Sequence, residues 1–333
     1  MKEKNVLKIS ENPVITSNGI LSFFCTLASS HPSFERWLFS NYLLLTFVNG
    51  ASVEGKIESQ LNFFAPDISA CELLECIKVK HEDEDAGVLF DKILGMIEKN
   101  FYCILEVNER FIYNTNACIK NYDRTHGVLV YGYDKADRTV CVVAYGKYGK
   151  PEQVKVSFDK FEAALSSARP VNPHRFFKLR DNYFGYDWAK IISSFLFYTG
   201  VHESVLDEKS GIVVSTGFRA TERLIDYILT DTPPYIDIRL FALLKDHKKV
   251  ILRAIESYSS VGVEFNERIT DSLKDNLRNA DLIEKLCMKY NFTHRESILP
   301  QIESRLRQII DSEKTVFPMI AESVACYIIE YVS

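Results

Sequence analysis

An α+β chain in two parts is what the sequence predicts, and three observations predict it. Short runs rich in β-branched and aromatic residues crowd the stretch from Phe101 to Val156. Amphipathic helical periods flank that stretch on either side, and Arg169-Pro-Val-Asn-Pro173 punctuates the chain near its middle. The polar segment Asp134-Lys-Ala-Asp-Arg138 between two strand runs has the length of a hairpin loop, so the sheet is expected to be antiparallel. The expected division is a sheet-bearing domain at residues 1–170 and a mainly helical domain at residues 171–333.

The elements follow in order. Residues 5–16 suit a short strand, and Ser17-Asn18-Gly19 reads as a turn into the apolar stretch Ile20 to Ala28, which contains Cys25. His31-Pro32 interrupts that stretch, and Ser33 is placed to cap a second helix running through Trp37, Tyr42 and Leu45. Val88, Leu89, Ile93 and Ile97 recur at helical intervals within residues 85–99. Strands are predicted over Phe101 to Val107, Gly127 to Tyr133, Thr139 to Tyr145 and Gln153 to Val156, with Ser157 capping a helix that contains Phe158, Phe161 and Leu165. From about residue 185 the pattern is mainly helical. Leu240, Leu244, Ile251 and Ile255 share one face after a break at Asp231-Thr-Pro-Pro234. Thr293-His-Arg-Glu296 has the form of a capping box ahead of Ile298, Ile302, Leu306 and Ile309, with Pro300 requiring a kink or a late start.

Bulk properties exclude several classes. With 333 residues, 47% of them hydrophobic, the chain has core material for two domains and is not expected to be disordered. A net charge of -5 argues against a nucleic-acid partner. No apolar run approaches the roughly 18–20 residues that span a bilayer, and Met-Lys-Glu-Lys-Asn at the start is not followed by a signal-peptide core. A cytoplasmic protein is expected. Eight cysteines without Cys-x-x-Cys spacing argue against both a zinc site and a disulfide framework, and no metal is expected.

The chemistry-bearing residues are Cys25 and His126. A thiol attacks only as thiolate, and a helix N-terminus with a neighbouring imidazole lowers its pKa, so an early cysteine on a helix and a later histidine on a strand form the layout of a papain-like site. His126 is then the base and later the acid, and Cys25 the nucleophile. Asn18, seven residues before Cys25, is a candidate oxyanion donor, set against its ordinary role as a turn residue. A third residue normally fixes the imidazole tautomer from the strand after the histidine. Here that strand, Thr139-Val-Cys-Val-Val-Ala-Tyr145, has no amide or carboxylate, which leaves Tyr145 as the candidate orienter.

Several segments resemble a known family. Phe111-Ile-Tyr-Asn-Thr through Tyr122, His126-Gly-Val-Leu-Val-Tyr-Gly-Tyr-Asp134, Gly146-Lys-Tyr-Gly149 and Val156-Ser-Phe-Asp159 are similar to the C39-like, papain-fold proteins found with non-ribosomal peptide and thioamide biosynthesis. Trp37-Leu-Phe-Ser-Asn-Tyr42, Ile236-Asp-Ile-Arg239 and Asp246-His-Lys-Lys249 carry the resemblance into both halves. The resemblance implies a papain/C39-like fold and an acyltransferase or amide synthetase. Such an enzyme takes an acyl group from an acyl or peptidyl carrier protein onto Cys25 and hands it to a small-molecule amine. It implies no cofactor bound by the enzyme itself, only the phosphopantetheine arm of the donor. A cysteine peptidase or thioesterase, or a catalytically impaired carrier-binding scaffold, are the rival readings.

Three further features carry expectations. Lys245, His247, Lys248, Lys249 and Arg253 form a basic patch on a predicted helix, a candidate docking face for an acidic carrier set against a solvated helix face. His81-Glu-Asp-Glu-Asp85 reads as a solvated acidic loop rather than a metal site, and Tyr183-Phe-Gly-Tyr186 with Trp188 as core aromatics.

Overall fold

The computed structural model describes residues 2–53, 56–80, 85–200, 202–207, 212–229 and 234–331. It begins with β1 (Lys4–Val6), α1 (Gly19–Ala28), α2 (Phe34–Asn41), β2 (Leu45–Val53) and β3 (Lys56–Phe63). β4 (Leu74–Val79), α3 (Ala86–Glu98), β5 (Tyr102–Asn108), α4 (Asn116–Lys120), β6 (Thr125–Asp134), β7 (Thr139–Tyr145), β8 (Pro151–Ser157), α5 (Phe158–Ser166) and β9 (His174–Leu179) follow. The chain ends with α6 (Trp188–Tyr198), β10 (His202–Asp207), β11 (Ile212–Thr216), α7 (Phe218–Leu229), α8 (Ile238–Ser259), α9 (Glu267–Thr293) and α10 (Leu299–Tyr331). The fold class is therefore α+β, with antiparallel sheets and a helical C-terminal region.

Two compact units result, Met1–Phe34 with Asp67–Tyr183, and Glu35–Pro66 with Phe184–Ser333. The division differs from residues 1–170 and 171–333 in two places. Arg169-Pro-Val-Asn-Pro173 is a turn rather than a linker. The backbone N–H groups of Val171 and Asn172 donate to Glu106 Oε2 at 2.7 and 3.1 Å, and the turn delivers the chain into β9, which pairs with β4 and β5. The second difference is that Glu35–Pro66 supplies β2 and β3 to a sheet of order β10-β11-β2-β3.

In the first unit the sheet order is β4-β9-β5-β6-β7-β8, every pair antiparallel, with β1 pairing with β6 beyond the start of β5. Strand alternation sorts its side chains. Cys103, Leu105 and Val107 of β5, Val128 and Val130 of β6 and Val142 and Ala144 of β7 join Leu89, Phe90, Ile93, Ile97 and Phe161 from α3 and α5 in one buried core. The opposite face of β6 meets α1, where a Cβ on Gly127 would stand 3.7 Å from the Phe23 ring. The strands and helices predicted over residues 85–166 are found within a few residues of their expected ends. Ser157 precedes α5 but makes no side-chain capping bond.

Other expectations change. The helix expected through Tyr42 and Leu45 ends at Asn41, because the β-favouring run Leu45-Thr-Phe-Val opens β2 instead. Thr293 does not cap α10. It is the last residue of α9, its hydroxyl donating to the Lys289 carbonyl at 2.8 Å, and His294 ends that helix with φ of 49°. α10 starts late, at Leu299, so Pro300 falls in its first turn, where a missing N–H costs nothing. Most of Asp231-Thr-Pro-Pro234 and of His81-Glu-Asp-Glu-Asp85 lies outside the described residues; Asp85 itself caps α3 by accepting from Gly87 N at 2.8 Å.

In the second unit α8, α9 and α10 pack in succession, and α10 also meets α6 and α7. Tyr186 and Trp188, both half-buried, pack on each other and on Tyr258, whereas Tyr183, expected among the same core aromatics, is exposed. The expected basic docking patch does not exist as a surface. His247 and Lys248 are fully buried on the apolar side of α8, and Lys245 is tied to Glu284 and Asp281 of α9. Lys248 Nζ donates to Glu313 Oε1 at 2.5 Å and to the Tyr198 hydroxyl at 3.3 Å, and lies 3.1 Å from His247 Nδ1. Tyr198 donates to Glu313 Oε2 at 3.0 Å, and His247 Nε2 donates to the Leu43 carbonyl at 2.9 Å. Burial pushes the Lys248 and His247 pKa values down and the Glu313 value up.

Candidate active site

The site is built where β5 ends and β6 begins. Asn108, buried at the last position of β5, accepts from the backbone N–H of Arg110 and of Arg124 at 3.1 and 3.2 Å. Its side-chain amide donates to Asp123 Oδ1 at 2.9 Å and to Ser167 Oγ at 3.2 Å. One residue further, Glu109 N donates to the Arg124 carbonyl at 2.8 Å. The β5–β6 register sets Val107 opposite His126 and Asn108 opposite Thr125, so the chain leaving β5 carries Glu109 past the start of the histidine strand.

That geometry supplies the partner of the imidazole. His126 Nδ1 lies 2.8 Å from Glu109 Oε1, the carboxylate being 1% exposed and the imidazole side chain 34% exposed. A carboxylate can only accept here, so Nδ1 carries the hydrogen and the lone pair of the neutral ring is on Nε2. Among the described residues nothing hydrogen-bonds to Nε2. Glu109 Oε2 makes no hydrogen bond among the described residues; Arg124 Nη1 stands 3.4 Å away, at ion-pair distance but without hydrogen-bond alignment.

Tyr145 reaches the imidazole as expected from the β6–β7 pairing, but not as an orienter. Its ring meets His126 edge to face at 6.1 Å and Phe23 of α1 at 5.8 Å, while its hydroxyl donates to the Thr16 carbonyl at 2.9 Å. It braces the ring and ties the approach to α1. Glu109 fixes the tautomer, and it comes from the strand before the histidine rather than the strand after it. The signal was present as a carboxylate following the strand run that ends in Val107-Asn108.

Cys25 is not at a helix start. It is the seventh of the ten residues of α1, 0% exposed, and its carbonyl accepts from Ser29 N at 3.1 Å and from the Ser29 hydroxyl. Gly19 and Phe23 are the α1 residues turned toward Tyr145, and at about 100° per residue Cys25 projects roughly 120–160° away from them. His126 alternates with Gly127, so its Cβ leaves β6 on the side of Val128, and its ring then meets Tyr145, which packs on Phe23 of α1. The side-chain contacts that His126 makes are with Glu109 and Tyr145, and Cys25 lies buried within α1.

The start of α1 is the part that approaches Tyr145. A Cβ on Gly19 would lie 3.8 Å from the Tyr145 ring, and Asn18 is the N-cap, its Oδ1 accepting from Leu21 N at 3.3 Å. Asn18 thus serves the helix, as its turn reading required, and α1 presents its positive end on the Tyr145 side.

Among the described residues no group of three His, Cys, Asp or Glu side chains is arranged to hold a metal, and no helix is long and apolar enough to cross a membrane. No protein-family model matches the chain, and no curated protein matches it.

Proposed function

We propose that this protein transfers an acyl group from a carrier-protein thioester to an amine, on a papain/C39-like scaffold, with His126 as general base and Glu109 as its positioning residue. The observation that carries the reading is the oriented imidazole: Nδ1 bound to a buried carboxylate, Nε2 open, and the ring one-third exposed. An early helix packed against an antiparallel sheet that bears the histidine supports the scaffold assignment.

The sealed thiol changes the route. The amine nitrogen attacks the thioester carbonyl directly and gives its proton to His126 Nε2. The C–S bond then breaks, and Nε2–H returns the proton to the leaving thiolate of the phosphopantetheine arm. No acyl-Cys25 intermediate is formed.

Incubation with an acyl-loaded carrier protein and an amine, read by mass spectrometry, tests this. Amide should form with wild type and with Cys25→Ala at rates within about twofold, and be lost in His126→Ala. An acyl adduct on Cys25, or loss of product in Cys25→Ala, would restore the covalent route and overturn direct transfer. The burial of Cys25 also favours a second reading, a carrier-binding scaffold without catalysis, for which binding without any amide product is the signature.

A further inference from the structure

We infer that the surface around His126 docks an acidic protein, the partner that delivers the acyl group. This rests on the acyl-transfer reading of the same site and names how its donor is held. A chain of contacts makes the surface continuous. From His126 it runs through Glu109, Arg124 and Asn108 to Asp123 and Arg110, whose Nε donates to Asn121 Oδ1 at 2.9 Å at the end of α4. On the other side it runs from Tyr145 to the turn at residues 146–150. The N–H of Lys147 donates to the Asn114 carbonyl at 2.9 Å, and Thr115 bridges Gly146.

The charge of this surface opposes that of the whole molecule. Arg110, Lys120, Arg124, Lys147, Lys150 and Arg169 are all exposed here in a chain of net charge -5; Asp123 is the exposed acid among them, and the half-buried Glu152 and Glu106 are held by Asn114 and by Val171 and Asn172. Arg169 belongs to the set because its N–H donates to Thr125 Oγ1 at 2.9 Å, beside His126. Among the described residues Lys120, Lys147, Lys150 and Arg169 have no ion-pair partner within 4 Å, whereas Lys274, Arg278 and Lys285 of α9 are each met by an acid of the same helix.

Apolar area is interleaved with those charges. Tyr113 is 73% exposed, Tyr148 74% and Ile119 56%, and Lys147 Nζ sits 4.8 Å above the Tyr148 ring. Exposed tyrosine beside arginine and lysine is the composition of a protein-binding hot spot, and unpaired cations select an acidic partner and steer its approach. The acyl group of such a partner arrives beside the open Nε2. A nucleic acid would use the same cations, but the acid at Asp123 and the base chemistry at His126 favour an acyl-bearing protein.

The test uses the full chain and the variant Lys120→Glu/Lys147→Glu/Lys150→Glu, which leaves His126, Glu109 and Arg124 untouched. The probes are a fluorescently labelled, hexanoyl-loaded acyl carrier protein for binding and a hexanoyl N-acetylcysteamine thioester with an amine for turnover. Wild-type binding to the carrier should weaken with added salt, and the variant should bind at least about tenfold more weakly at low salt. Its turnover of the small thioester should stay within about twofold of wild type, which also shows that it is folded. Equal carrier affinity in variant and wild type, salt-independent binding, or displacement of the carrier by a single-stranded oligonucleotide would overturn the inference. Carrier binding that depends on these lysines, with no turnover of either thioester, would uphold the docking surface while refuting acyl transfer.

Discussion

Replacing Lys248 with methionine removes, among the described residues, the one cation paired with Glu313. Lys248 and Glu313 side chains are 1% and 0% exposed and joined at 2.5 Å. Without the ammonium, Glu313 keeps only the Tyr198 hydroxyl as donor, so the carboxyl must either take up a proton or remain as a buried unpaired charge. Loss of one partner of a buried pair costs about 3–5 kcal/mol, which at about 2–4 °C per kcal/mol for a unit of this size lowers its Tm by roughly 6–20 °C. The readout is built in, since both tryptophans, Trp37 and Trp188, lie in the second unit. Tryptophan fluorescence during urea unfolding therefore follows that unit. Glu313→Leu leaves the ammonium unpaired and should cost a similar amount. The double variant should be less destabilised than the sum of the singles by about 2–3 kcal/mol. Additive singles, or a Lys248→Met loss under about 1 kcal/mol, would refute the view that this pair is held by mutual compensation.

Three other outcomes are expected. Glu109→Gln should lower kcat for amide formation by roughly 10²–10⁴-fold with KM little changed, and imidazole 15N NMR should show the Nε2–H tautomer gaining population. The Asn108 amide, and after it Arg110, holds the Asp123 carboxyl below its usual 3.8. Such a group stabilises the fold above 3.8, and the contribution is lost as pH falls through its lowered value, so the wild-type Tm should drop below pH 3.8 more steeply than that of Asp123→Asn. Gly132→Ala would put a Cβ 2.8 Å from the Asn5 carbonyl oxygen, and should cost about 1–3 kcal/mol and speed amide hydrogen exchange in β1 while leaving β7 protected.

The first unit was the more legible half because its core obeys local rules. Val88 to Ile97 repeat at helical spacing, and the strand runs from Phe101 to Tyr145 are separated by polar loops, so periodicity alone finds α3, β5, β6 and β7. The second unit combines segments distant in the chain. Leu45-Thr-Phe-Val forms a strand between the neighbouring β3, where Thr46 faces Asn62, and the distant β11, where Thr46 faces Thr216, a partner that no window around residue 45 contains. The lysines of α8 misled for a related reason. A helical wheel drawn from charge puts Lys248 on the wet face, whereas Glu313, 65 residues later, supplies the compensation that lets it enter the core.

The candidate site divides along the same line. Cys25 and His126 each fit a motif, but a motif fixes neither helix phase nor strand face, and those two parities decide whether a thiol and an imidazole meet. Glu109 precedes the histidine in the chain, whereas the orienting residue of a papain-like site is expected on the strand that follows it. The register of β5 on β6 looks backward instead, setting Val107 against His126 and letting the next turn of chain place a carboxylate beside the ring. An imidazole so held has its outer nitrogen unbonded among the described residues, and in the proposed direct transfer it would take its proton from the group that arrives. The incoming amine is the group whose proton must be removed for an amide to form. On the proposed reading the reaction joins two visitors, to which the protein contributes a base and a place to dock.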